Sequence, residues 1–189
     1  TSTAEFIRQI FELVAIKSAS IGTLGVKTNN QNLDDKFINS SLTTPDIVSL
    51  YKNLAILQKN QIDDVAIEVS SIGLEQQRIA GIPLAIGLFT NFTQDHLDYH
   101  QSMEAYFASK MMLFTEYLTD NGIAILNSDI PEFVDIAKIC KQNHIKIVEF
   151  GLKAQEGIDN VRIVENILVN QKQNISFSIN GKEYNAIID

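Results

Sequence analysis

The chain has 189 residues, 45% of them hydrophobic, enough for one sizeable α/β domain or one domain with a small annex. Its net charge of −8 and pI of about 4.8 argue against uniform binding to nucleic acid or an anionic membrane, because the phosphate term needs clustered lysine and arginine. No run of about 18 apolar residues predicts a transmembrane helix. TSTAEFIRQIFELVA is too charged for a signal peptide, and the single cysteine, Cys140, excludes an internal disulfide framework and fits a reducing cytoplasm.

Phe6, Ile7, Ile10, Phe11, Leu13 and Val14 recur at spacings of three and four, which predicts an amphipathic helix over 3–16. The TST that opens it reads either as a helix cap or as the tail of a phosphate-binding loop. ASIGTLGV (19–26) predicts a short strand ending in glycines, and the polar residues 27–42 predict a loop. A helix follows over 43–60, with Thr44 as cap and Pro45 in the first turn. Strands are predicted at 63–70, 83–91, 122–129 and 144–151. Helices are predicted at 70–81, 102–118 and 131–143, the last with Cys140 as a small core residue. This alternation over 3–151 predicts a mostly parallel sheet flanked by helices. Residues 160–170 and 174–188 are strand-like with no helix between them, and NGK at 180–182 signals a hairpin. Residues 152–189 therefore read as a small antiparallel extension of the same α/β domain.

Ligands of open parallel sheets bind beyond the carboxyl ends of the strands. The strand at 63–68 ends in Glu68, followed by Ser70 and Ser71. The strand at 83–89 runs into TNFTQDHLDYH (90–100), which holds two of the three histidines, His96 and His100, together with Asp95 and Asp98. The strand at 122–126 ends in Asn127-Ser128-Asp129, a polar turn to which no role is assigned. A catalytic zinc site needs about three protein ligands; only His144 remains to join the pair, and H-E-x-x-H is absent. Magnesium takes one or two protein ligands and leaves the rest to water and phosphate, so Glu68 and His96 would suffice. Glu68 at the end of an apolar strand is costly unless it meets a cation or several donors. Lys110 falls beside the apolar stripe Met103, Phe107, Phe114, Leu118. It is either a snorkelling lysine or one made reactive by a depressed pKa. Ser70, Ser71 and Arg78 are anchors for an anionic ligand, or capping serines and a surface arginine.

Together TTPDIVSLY (43–51), EVSSIGLEQQRIAG (68–81), FTNFTQDHLDYHQSMEAYFASKMMLF (89–114) and GIAILNSD (122–129) resemble the central domain of the Mur ligase family, in its UDP-N-acetylmuramoyl-tripeptide synthetase branch. The resemblance covers nearly the whole chain, with 152–189 matching only loosely. It implies an ATP-dependent carbon–nitrogen ligase of peptidoglycan precursor synthesis, a cytoplasmic process that joins an amino acid to a UDP-N-acetylmuramoyl peptide through an acyl phosphate. It also implies residue roles: Glu68 and His96 bind Mg2+, and Lys110 is carbamylated so that its carbamate holds a second magnesium. Thr1 and Ser2 are the last residues of the ATP loop, and Thr43, Thr44, Ser70, Gln76 and Arg78 contact the UDP-N-acetylmuramoyl peptide. Asp95, Asp98 and His100 then shape the loop around His96.

The chain departs from that pattern in three ways. The glycines and lysine of the ATP loop and the strand before it are not in the 189 residues. Ile72 stands where the family commonly has histidine. The UDP-binding and amino-acid-binding domains are missing. The expectation is an excised central domain or the product of a truncated gene, over 1–151 with the 152–189 extension, that is inactive by itself. Two other readings remain: a non-catalytic module binding a nucleotide-sugar or a partner, and a ligase related to folylpolyglutamate or cyanophycin synthetase.

Overall fold

The computed structural model describes residues 1–155, 159–169 and 172–188; positions 156–158, 170–171 and 189 of the predicted extension lie outside the described residues. Contacts divide the chain into two units, Thr1–Gly81 and Ile82–Asp189. No helix among the described residues is long and apolar enough to cross a membrane.

In the first unit, helix α1 (Ser2–Leu13) leads into a hairpin of β1 (Ser18–Gly22) and β2 (Gly25–Thr28). A 3-10 turn (Gln31–Lys36), helix α2 (Ile47–Lys59), strand β3 (Asp64–Ile67) and helix α3 (Ser71–Glu75) complete it. The sheet order is β2-β1-β3, with β1 antiparallel to β2 and parallel to β3 from Ser18↔Asp64 to Ile21↔Ile67. β1 is buried along its length, whereas Val65, Ala66 and Ile67 of β3 are half-buried. The predicted single strand over 19–26 is thus two strands. Gly22 pairs with Gly25, whose φ of +77° closes the turn at Thr23-Leu24.

Asn53 and Arg8 are among the buried polar residues of this unit, and both are satisfied. Asn53, fully buried, accepts from Ile38 N at 2.8 Å and donates to Ile38 O at 3.1 Å, pinning the preceding loop to α2. Arg8 is the buried residue of α1, while Phe6, Ile10, Leu13 and Val14 are exposed, so the amphipathic helix turns its charged face inward within this unit. The Arg8 guanidinium donates to Glu5 and Glu12, with Nη2 2.7 Å from Glu5 Oε1. Glu5 also accepts from Ser20 Oγ of β1 at 2.8 Å. These donors, Arg8 first, outweigh burial and pull the Glu5 carboxyl down to about 2. Helix α2 is capped by Asp46, whose carboxylate accepts from Ser49 N at 3.0 Å. Thr44, the predicted cap, is used elsewhere.

The second unit is a six-stranded sheet, β4 (Leu84–Phe89), β5 (Leu118–Asn127), β6 (Lys146–Gly151), β7 (Val161–Val169), β8 (Lys172–Ile179) and β9 (Lys182–Ile188), in chain order across the sheet. β4 to β7 are parallel and β7 to β9 antiparallel. The α/β class with an antiparallel extension is as the sequence predicted. Asn180 and Gly181, with φ of +53° and +74°, make the β8–β9 turn. The short helix α4 (Leu97–His100) precedes α5 (Met103–Met112), and α6 (Phe133–Gln142) lies between β5 and β6. Phe89, Met111, Phe114, Ala124, Leu126, Ile136, Ala137, Cys140 and Ile145 form the core. Cys140 is fully buried there, and burial pushes its thiol up to about 11. The predicted strand over 83–91 forms as β4, with Ala85 and Ile86 exposed and Gly87 and Phe89 buried. The predicted helix 102–118 stops at Met112 and passes through a π turn (Leu113–Tyr117) that buries Phe114 and Tyr117, so β5 starts at Leu118.

Glu5 titrates near 2 in the folded chain against an ordinary 4.5, so the stability it lends is complete above about pH 4.5 and fades as pH falls toward 2. Urea unfolding of the first unit should show a lower midpoint at about pH 2.5 than at about pH 5, and Glu5→Gln should flatten that difference. An unchanged pH slope in Glu5→Gln would contradict the assignment.

Candidate functional site

Because β1 and β3 run parallel and in register, their carboxyl ends bring Gly22, Thr23 and Glu68 together. The Glu68 carboxylate accepts from Thr1 Oγ1 at 3.0 Å, on Oε1. Thr23 approaches Oε2 with its N–H and its hydroxyl, each at 3.4 Å. Thr23 Oγ1 lies 3.1 Å from both Thr1 Oγ1 and Thr43 Oγ1, so three threonine hydroxyls run as a chain past the carboxylate. A carboxylate with neighbouring hydroxyls is the hard oxygen set that magnesium prefers, and these residues fit that ion. The Thr1 side chain makes no cap bond to α1, and Ser2, the first residue of the helix, is exposed.

The substrate-side residues of the sequence reading surround the same strand end. Thr44 is fully buried; its hydroxyl donates to Glu68 O at 3.1 Å, accepts from Ser70 N at 2.9 Å and lies 3.2 Å from Ser70 Oγ. Ser70 caps α3 by accepting from Gly73 N at 3.0 Å. Arg78 donates to Thr44 O at 2.9 Å and, through Nη2, to Gln76 Oε1 at 2.6 Å. A side chain on Gly73 would meet Thr44 Cβ and Oγ1 at 2.8 Å, so the glycine of SSIG is fixed by the approach of Thr44. Ile72 is half-buried in α3.

In the second unit Tyr106 of α5 is the hub. Its ring stacks on Phe92 at 4.9 Å and on His100 at 5.3 Å, and meets His96 edge-on at 5.9 Å. Lys110 Nζ sits 5.0 Å from the Tyr106 centroid and 5.8 Å from that of Phe89. Burial lowers the Lys110 pKa, partly countered by the Asp95 carboxylate. His96 adopts a left-handed φ of +52°, and its N–H donates to Asp95 Oδ1 at 2.8 Å. His96 and His100 differ in setting: His100 is buried, with Nδ1 3.4 Å from Ser109 Oγ, while His96 stands at the N-cap position of α4 with no side-chain cap bond.

Two groups escaped the sequence reading. Thr23 could have been found from the parallel pairing of its strand with that of Glu68. The Asn127-Ser128-Asp129 turn ties three strand ends: Asn127 donates to Thr90 O at 2.8 Å, Ser128 to Phe150 O at 3.1 Å, and Asp129 accepts from Leu152 N and Lys153 N at 2.9 and 2.8 Å. Gly151 allows that approach, since a Cβ there would lie 2.7 Å from Asp129 Oδ2.

Residues 1–188 match the Mur ligase middle domain, and the chain belongs to the Mur ligase family as such a domain. It is similar to the UDP-N-acetylmuramoyl-L-alanyl-D-glutamate--2,6-diaminopimelate ligase of Rickettsia bellii, with 40% identity over 97% of this chain and 38% of the relative. The chain spans less than two fifths of the length of this relative and of the ligase of the same name from Zymomonas mobilis, which is 37% identical. A solved structure of a ligase of that name superposes with a TM-score of 0.79 at 22% identity, over 96% of this chain and 35% of the other. A variant of L. casei FPGS gives 0.67 at 12% identity, over 96% of this chain and 48% of the other, a likeness of fold.

Gly73→Ala should destabilise the first unit by about 1–3 kcal/mol in urea unfolding although alanine favours helix, because the new methyl overlaps buried Thr44. A neutral or stabilising result would disprove that packing. For Lys110, an NMR titration of its side-chain signals should give a midpoint below the ordinary lysine value of 10.5, and a midpoint at or above it would count against the buried placement.

Proposed function

We propose that this chain is the nucleotide- and magnesium-handling part of an ATP-dependent ligase that joins diaminopimelate to UDP-N-acetylmuramoyl-L-alanyl-D-glutamate in the cytoplasm, as the names of its relatives suggest. The observation that carries the reading is the Glu68 carboxylate at the end of β3, lined by the hydroxyls of Thr1 and Thr23. In this reading Glu68 is a magnesium donor of the first unit, while His96 and, as its carbamate, Lys110 are magnesium donors of the second. Thr1 and Ser2 meet the phosphates of ATP. Thr43, Ser70, Gln76 and Arg78 meet the UDP-N-acetylmuramoyl peptide. Thr44, whose hydroxyl is occupied internally, serves by fixing Ser70 and Arg78.

The substrate carboxylate attacks the γ-phosphorus of ATP, releasing ADP and leaving an acyl phosphate. The amine of diaminopimelate then adds to that carbonyl and inorganic phosphate departs, forming the amide. Magnesium supplies charge neutralisation between carboxylate and polyphosphate. The Arg78 guanidinium, held by Thr44 O and Gln76, presents a fixed cation to an anionic substrate. Burial over the rings of Tyr106 and Phe89 favours the neutral Lys110 amine. That amine adds to the carbon of carbon dioxide and loses one proton to water, becoming a carbamate and so an oxygen donor.

The test is made in the complete ligase polypeptide, with ATP, the UDP-N-acetylmuramoyl dipeptide and diaminopimelate. Lys110→Ala should lower kcat by about 10²–10³-fold. Labelled bicarbonate should give a carbamate carbon signal in wild type that Lys110→Ala lacks. Full activity in Lys110→Ala, or no amide formed by wild type, would refute the proposal.

A further inference from the structure

We infer that Thr23 is a positioning residue for the Glu68 carboxylate, and that its hydroxyl couples Glu68 to Thr43. The inference rests on the reading of Glu68 as a magnesium donor. Thr23 sits in the two-residue turn between β1 and β2, where it is exposed and contributes nothing to the core. A threonine there is not required by the turn. What the turn does is aim two donors of one residue, N–H and Oγ1, at Glu68 Oε2. Thr1 donates to Oε1, so both carboxylate oxygens are held, which fixes the rotation of the carboxyl plane.

Proton accounting gives the chain a direction. An ionised carboxylate only accepts, and each threonine hydroxyl has one proton. The protons of Thr1 and Thr23 therefore go to Glu68, leaving Thr23 Oγ1 to accept from Thr43 at 3.1 Å. Thr43 is thereby oriented by the same residue that orients Glu68. Gly22 is part of the arrangement: a Cβ at that position would lie 2.6 Å from Glu68 Oε2 and 3.0 Å from Glu68 Cβ, so the backbone of β1 can approach the carboxylate only as glycine. The sequence Gly22-Thr23 thus supplies clearance and then donors.

Partners that orient a ligating group affect metal affinity about 10–100-fold when removed. The experiment is an EPR titration of Mn2+ alone against the complete ligase, comparing wild type with Thr23→Val, Thr23→Ala, Thr23→Ser and Glu68→Gln, each checked for an unchanged thermal midpoint. The expected result is Mn2+ affinity about 10–100-fold weaker in Thr23→Val and Thr23→Ala, recovered in Thr23→Ser, and weaker still in Glu68→Gln. Because Thr23 is exposed in a turn, at least one hydroxyl-free variant should fold. Weak binding in Glu68→Gln with wild-type affinity in Thr23→Val and Thr23→Ala would overturn the role of Thr23 and leave that of Glu68 standing. Wild-type affinity in Glu68→Gln would overturn the magnesium reading itself, and this inference with it.

Discussion

A carboxylate at the end of a strand has to be met by donors, and the first unit is organised by how Glu68 meets that need. The strand cannot solvate it, because β3 lies against the fully buried β1 and places Glu68 beside the β1–β2 turn. Every neighbour then follows a constraint. Gly22 must lack a side chain, Thr23 supplies an N–H and a hydroxyl, and Thr1 brings a second hydroxyl. Behind the carboxylate, Thr44 binds the carbonyl of Glu68 and the amide of Ser70, which fixes where α3 begins and leaves no room for a side chain at Gly73.

The second unit solves a related problem with a cation instead of an anion. An amine beside an apolar stripe loses hydration, and Lys110 meets ring faces, with the Asp95 carboxylate partly countering the effect of burial. Tyr106 makes this possible: Phe92 and His100 stack on its ring, and His96 packs against it edge-on. The left-handed backbone at His96, braced by Asp95, is the turn that lets one short segment deliver both histidines to the same ring. Aromatic packing thus brings both histidines of DHLDYH to one ring.

How far the site was legible depended on whether its logic was local. Strand ends carrying Glu68 and the DHLDYH segment stood out, because functional residue types followed apolar runs. Thr23 did not, since it sits in a glycine-rich turn that looks like any hairpin until the parallel pairing of β1 with β3 is known. Lys110 could not be decided by helical spacing, which puts a snorkelling lysine and a ring-covered one at the same angle. Thr44 was misplaced as a helix cap because Asp46, two residues on, competes for that role and has the stronger acceptor.

The sequence by itself determined the α/β class, the antiparallel extension with its Asn-Gly turn, and the family, because hydrophobic period, turn chemistry and motif spacing are local and survive without coordinates. Only the tertiary structure decided which face of α1 turns inward. The periodicity marks an apolar stripe, but in the first unit Arg8 is buried by Glu5, Glu12 and Ser20, and the stripe is exposed. It alone decided that β3 and β4 are half-exposed, and that α5 ends in a π turn. Those outcomes depend on which strands pair with which, and pairing is a long-range property that no window of sequence contains.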